Sequence, residues 1–259
     1  MREDRHQQIL TLLSRHTTLS IAQISEACRV SAETVRRDLQ TLEEMGYISR
    51  VHGGAMIRRE LTPMMDLGER LRMHSTEKHE LAERACDFVC ENEVIFIDSG
   101  STAVAFAQRL AERFKNLSVI THSLDVFSVL RNTKFQLILS GGTLKREENA
   151  LIGWAALETI GAYRANRAFV CSSAVSLEFG LSDLYDDLLP IQRAMLKNAE
   201  NVFILADHTK LEKQAMLRIG PAKREYHYIT DSNAPKAIRD MYHEKGFMLH
   251  CYEALETKR

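Results

Sequence analysis

The chain has 259 residues, 45% hydrophobic and 27% charged, with a formal net charge of −1. That is the balance of a soluble globular protein with ample core, long enough for one large or two ordinary domains. The first ten residues hold no apolar leader and no apolar run nears the roughly 18 residues of a membrane span, so secretion and membrane insertion are not expected. The five cysteines are odd in number and scattered, which fits buried, reduced thiols in a cytoplasmic protein. A helix is expected over 81–90, placing Cys86 and Cys90 on one face without a His or Cys at metal-ligand spacing. Neither a metal nor a cofactor is expected.

Residues 1–59 carry nine Lys and Arg against seven Asp and Glu, while the remainder is mildly acidic. A basic head on an acidic body hints at a nucleic-acid-binding module. Ile9, Leu10, Leu12 and Leu13 give a first helix an apolar stripe. Ser20 can cap a second helix, with Ile21, Ile24 and Ala27 facing inward, and Ser31 a third that Gly46 stops. At about 100° per residue, Leu39 and Leu42 fall within roughly 40° of Val35, a buried seam. Glu33, Arg36, Arg37 and Gln40 then lie opposite, with Thr34 at the border. Two guanidiniums and an amide on one outward face can pair with base edges in a major groove. A solvated face laced with salt bridges is the plainer alternative.

Next come two β-prone runs, YISRV and AMIRR, separated by His52-Gly53-Gly54, which predicts a hairpin placed as a wing. Arg50, Arg58 and Arg59 can meet phosphates there, and the glycines let backbone approach closely. The run VSAETVRRDLQTLEEMGYISRVHGGA resembles the amino-terminal signature of the DeoR family of bacterial sugar-metabolism regulators. The resemblance implies a winged helix-turn-helix domain over 1–59 that binds double-stranded operator DNA.

Residues 60–76 read as a mixed linker. Over 77–259, β-rich runs at 94–97, 117–121, 135–140, 167–170, 202–206 and 226–230 alternate with helical patterns, which predicts a mostly parallel α/β sheet. Loops after these strands carry Asp98-Ser99-Gly100-Ser101-Thr102, Thr121-His122-Ser123, Gly141-Gly142 and Lys210. In a parallel sheet the carboxyl ends share one edge, where α/β proteins bind ligands. The Ser-Gly-Ser-Thr loop opens a helix, a natural anion site, and Lys210 can supply countercharge. Each loop also has a plainer reading as a cap or a turn.

IDSGST, VITHS, LSGGT and LADHTK extend the DeoR resemblance over roughly 75–230. It implies a carboxy-terminal α/β sensor domain similar to ribose-phosphate isomerase that binds a small phosphorylated sugar and assembles a homo-oligomer. His122 departs from the Asn usual in the family, Cys171-Ser172-Ser173 from its glycine-rich loop, and Pro190 interrupts a helical-looking stretch. An isomerase or deaminase would need acid/base groups, and Asp98, Glu147, Glu148, Asp183, Asp186, Asp187 and His122 are available. The lysine- and glycine-rich loop of such enzymes is not found, so a regulator, and a repressor released by its effector, is the expected function. Trp154 is expected in the core or at an oligomer contact.

Overall fold

The computed structural model describes residues 2–15, 18–44, 48–51, 53–57 and 67–253. It forms two compact units, Met1–Met65 and Asp66–Arg259. The first contains α1 (Arg2–Arg15), β1 (Thr18–Ser20), α2 (Ile21–Cys28), α3 (Ala32–Glu44), β2 (Ile48–Val51) and β3 (Gly54–Ile57). β2 and β3 pair antiparallel, and β1 adds to β3, giving the order β1-β3-β2. Ile9, Leu10, Leu13, Ile24, Val35, Leu39, Leu42 and Ile48 are fully buried. The predicted seam of α3 is therefore the packed one. Ala27, expected inward, is exposed.

The second unit opens with α4 (Leu67–Arg72) and α5 (Ser75–Cys86), so the expected linker is helical from Leu67 onward. There follow β4 (Val94–Ile97), α6 (Ser101–Arg113), β5 (Ser118–Thr121), α7 (Leu124–Leu130), β6 (Gln136–Leu139), β7 (Thr143–Lys145) and β8 (Ala150–Ile152). Then come α8 (Trp154–Ala162), β9 (Ala165–Cys171), β10 (Ala174–Ser176), β11 (Gly180–Asp183), α9 (Leu189–Asn198) and β12 (Ala199–Leu205). A 3-10 turn (His208–Lys210), β13 (Leu217–Gly220), β14 (His227–Thr230), α10 (Lys236–Glu244) and β15 (Met248–Cys251) complete it. Seven strands form one parallel sheet in the order β15-β14-β12-β9-β4-β5-β6.

Strand alternation sends neighbouring side chains to opposite faces. Ile95, Ile97, Phe169 and Phe203 join a core with Leu81, Phe106 and Val126 from α5, α6 and α7. Phe96, Ala168, Val170 and Ile204 join another with Ile160, Ile191, Met195 and Tyr242 from α8, α9 and α10. The sheet is thus covered on both faces, as an all-parallel sheet requires. Pro190 does not interrupt a helix; it stands in the first turn of α9, where its missing N–H costs nothing. α5 ends at Cys86, which is buried, and Cys90 lies exposed beyond it, so the two do not share a helix face. Trp154 is 76% exposed, which removes it from the core.

Candidate functional site

Two sites emerge, one in each unit. In the first, the turn between α2 and α3 is made by Arg29 in the left-handed conformation (φ 54°), its N–H and that of Val30 bonding back to Glu26 and Ser25. Ser20 caps α2 through a reciprocal pair with Gln23, at 3.2 and 2.9 Å. Ser31 Oγ accepts from Thr34 N at 3.2 Å and meets Thr34 Oγ1 at 2.9 Å. These serines are thus helix caps first, exposed at the entrance of each helix.

Glu33, Arg36, Arg37 and Gln40 are all exposed on α3. Glu33 holds both guanidiniums loosely, at 3.4 Å to Arg36 and 3.6 Å to Arg37. Exposed pairs at this spacing are weak and exchange readily for a stronger acceptor. The next residue, Asp38, points the other way: it is 2% exposed and bonded by Arg5 Nη2 and His6 Nε2 of α1, each at 3.0 Å. Burial pushes its carboxyl up, but the Arg5 and His6 bonds outweigh that and hold it below the usual carboxylate range. The run Arg-Arg-Asp therefore faces outward twice and inward once.

In the hairpin, Gly54 belongs to β3 and not to the turn. A Cβ there would stand 2.1 Å from the Leu19 carbonyl oxygen, so the approach of β1 requires glycine. Gly53, at φ +76°, makes the turn and its carbonyl accepts from Ile21 N at 2.9 Å. Arg50 is exposed on β2. His52 and Arg58, like Gly46 and Arg59, lie outside the described residues.

The second site lies at the carboxyl edge of the large sheet. The chain leaves β4 for β5 and β6, then returns to β9 on the other side of β4. Ligands of open α/β sheets bind at such a reversal. Asp98, just past β4, has no exposed surface. Its Oδ1 accepts from Ser99 N at 2.8 Å and meets His122 Nε2 at 2.9 Å. Its Oδ2 accepts from Cys171 N at 3.0 Å and Gln192 Nε2 at 3.2 Å. Four donors tie the ends of β4, β5, β9 and α9 to one carboxylate. A carboxylate so occupied ties four segments of this edge into one framework. His122 is equally buried, its Nδ1 facing the Leu151 carbonyl at 3.1 Å.

Ser99, Ser101 and Thr102 are buried beside it. Gly100 begins α6 at φ +100° and, lacking a side chain, caps none of the first-turn N–H groups itself. Thr102 Oγ1, Ser140 Oγ and Ser172 Oγ are buried and lack a partner among the described residues. Such groups are costly unless something bonds them. Thr121 and Ser123 have local roles: Thr121 Oγ1 accepts from Ser123 N at 3.1 Å, and Ser123 Oγ caps α7 at 3.2 Å. Gly142 is required by the β7–β8 hairpin, where a Cβ would meet the Ile152 carbonyl oxygen at 2.4 Å. It and Gly141 are exposed.

Sequence reasoning missed two cations and the role of one acid. Arg70, from α4, donates from Nη2 to Glu148 Oε1 at 2.6 Å. A Cβ on Gly100 would lie 3.8 Å from Glu148 Oε2 and 3.9 Å from Arg70 Nη1, which places this pair beside the start of α6. Lys78 Nζ donates to the Arg70 carbonyl and to that of Met73, the latter at 2.6 Å. Burial, then the charges of Lys210 and Arg70, pull the Lys78 ammonium down to about 8. Asp207 caps the turn that carries Lys210. Burial raises its carboxyl, yet the Lys210 charge and the Thr209 hydroxyl bond outweigh it and hold it low. Burial also raises Glu148 and Asp183 above the usual range. The edge thus combines a glycine-opened helix N-terminus, three cations, and hydroxyls without a partner among the described residues. Among the described residues no group of three His, Cys, Asp or Glu can hold a metal ion, and no helix is long and apolar enough to cross a membrane.

A winged helix-turn-helix joined to a parallel α/β domain with a polar strand-end site defines a DNA-binding regulator with a sensor domain. Residues 5–60 match the DeoR-like helix-turn-helix domain and residues 73–232 the DeoR C terminal sensor domain. The HTH-type transcriptional repressor CsqR of Escherichia coli is 30% identical over 91% of this chain and 90% of its own. The HTH-type transcriptional regulator IolR of Bacillus subtilis is 32% identical over 87% and 90%. The glycerol-3-phosphate regulon repressor of Escherichia coli is 29% identical over 90% and 92%. A ribose 5-phosphate isomerase A from Methanocaldococcus jannaschii shares 20% identity over 52% of this chain and 53% of its own, with a TM-score of 0.39. The chain belongs to the DeoR family of transcriptional regulators. Its relatives are named as transcriptional regulators and repressors, not as enzymes, and the chain is a transcriptional regulator of that family.

Proposed function

We propose that the protein represses a sugar-metabolism operon in the cytoplasm and is released from its operator by a phosphorylated sugar. In this reading the winged unit up to residue 59 binds operator DNA through Glu33, Thr34, Arg36, Arg37 and Gln40, with Ser20, Ser31, Arg50, His52, Gly53, Gly54 and Arg58 flanking. The unit after the linker binds effector and forms the homo-oligomer that pairs half-sites. The observation that carries the effector class is the glycine-opened N-terminus of α6, with the unpartnered Thr102 hydroxyl and the Arg70, Lys78 and Lys210 charges near it. Positive N–H ends and convergent cations suit a dianionic phosphate. Asp98, Ser99 and His122 order the floor, while Gly100, Ser101 and Thr102 offer donors. Thr121, Ser123, Gly141 and Gly142 support the neighbouring loops. The name of one relative, glycerol-3-phosphate regulon repressor, fits this class.

A thermal-shift screen of phosphorylated sugars against their unphosphorylated forms tests it. A ligand at 100 times its dissociation constant adds about 2.7 kcal/mol of stability. Lys210→Met should keep operator binding and respond poorly to the active sugar phosphate. Equal response by parent and variant would place the phosphate elsewhere.

A further inference from the structure

We propose that Glu148 is a resident anion that competes with the effector's phosphate for Arg70, so that effector binding breaks the Arg70–Glu148 pair and passes Arg70 of α4 from the carboxylate to the ligand. This rests on the reading of the α6 N-terminus as the phosphate seat. The pair is close, at 2.6 Å, and Glu148 is 3% exposed, so it is not a surface salt bridge that solvent makes worthless. Both partners lie against Gly100, the residue that opens α6. A phosphate at that N-terminus would share Arg70's guanidinium with a carboxylate a few ångströms away, and the two anions repel. An anion seated there must therefore displace Glu148 or neutralise it.

The consequence reaches beyond the pocket because of where the partners sit in the chain. Arg70 belongs to α4, the first described element after the winged unit, and Lys78 Nζ holds the carbonyls of Arg70 and Met73 at the carboxyl end of that helix. Glu148 belongs to the segment joining β7 and β8. In the free protein the carboxylate therefore ties α4 to the hairpin; with phosphate bound, Arg70 is tied to the ligand instead. Exchange of one partner for another at a helix that leads to the DNA-binding unit is a two-state element that the effector can bias.

The test is calorimetric titration of the full-length protein and of Glu148→Gln with inorganic phosphate and with fructose 6-phosphate, together with amide hydrogen exchange of the parent. Glu148→Gln keeps the shape and removes the competing charge, so it should bind both probes tighter, by about fivefold or more. In the parent, fructose 6-phosphate should protect residues 99–103 and alter exchange across 67–73. Equal or weaker binding by Glu148→Gln, with binding by the parent intact, overturns this proposal alone and assigns Glu148 to a sugar hydroxyl. Should the variant fail to fold, the parent decides: protection at 99–103 with no change at 67–73 overturns it. Absence of binding by either protein to either probe overturns the proposal together with the phosphate reading beneath it.

Discussion

Arg36 and Arg37 adjoin in sequence and share one acidic neighbour, yet they are not equivalent donors. Arg37 is the more open, at 77% side-chain exposure against 53% for Arg36, and both reach Glu33 only at 3.4–3.6 Å. In DNA a guanine edge or phosphate would replace that carboxylate with two aligned acceptors. Replacing either arginine with Ala is expected to cost about 1–3 kcal/mol of operator affinity where it makes a bidentate base contact, with specificity relaxed at that base. Titration of each variant on operators mutated one base at a time checks this. Retained affinity in both folded variants would remove α3 from the groove. An Arg50→Ala variant should instead weaken all sequences alike and flatten the salt slope.

At the scale of elements, the feature that fixes α3 is the buried carboxylate of Asp38, gripped by Arg5 and His6 from α1. Removing one member of a buried pair strands the other, which costs about 3–5 kcal/mol. Asp38→Ala should thus lower the unfolding midpoint of the winged unit and weaken operator binding without touching DNA. Loss of affinity with stability unchanged would contradict it. The linkage has a definite sign: Asp38 is held below its unfolded value, so its contribution is present above about pH 4 and is lost as pH falls through the folded value. The helical period located α3 and its seam because its apolar residues repeat over three turns. It could not place Asp38, since a lone acid beside two arginines looks solvated until α1 is packed against it. β1 escaped notice because three residues carry no period, and the helix expected over 81–90 stops four residues early, with Phe88 and Val89 packing as a coil on the same core. Asp98 and the loop after it were legible because a strand, a polar run and a helix start follow in order. Arg70 and Glu148 were not, since they lie far apart in sequence and only the fold brings them to Gly100.

Across the whole sensor unit, rings line one face of the sheet: Phe106, Phe169, Phe203, His227 and His250 stand in succession at 4.3 to 5.2 Å. The last two share a 3.0 Å contact between Nδ1 and Nε2, which needs one nitrogen without a proton. Burial, then the His227 and Arg84 charges, bring His250 down to about 4, and burial with Arg167 lowers His227. A depressed histidine costs the fold nothing above its unfolded value near 6.5, and stability is lost as pH falls from there toward about 4 because the unfolded chain takes up the proton first. Denaturation midpoints measured from pH 7.5 to 4.5 should fall more steeply for the parent than for His250→Gln; parallel curves would refute the pair's role. The order of strands has a temporal side as well. β4 waits for β9, some 72 residues later, before its second edge is filled, and β15 closes the sheet only near the end of the chain. The winged unit closes over spans of a few tens of residues. Parallel pairings of long span form slowly, and domains made first on the ribosome fold first. A newborn chain therefore finishes its reading head first and its sensor last, so the two units come of age in the order of their synthesis.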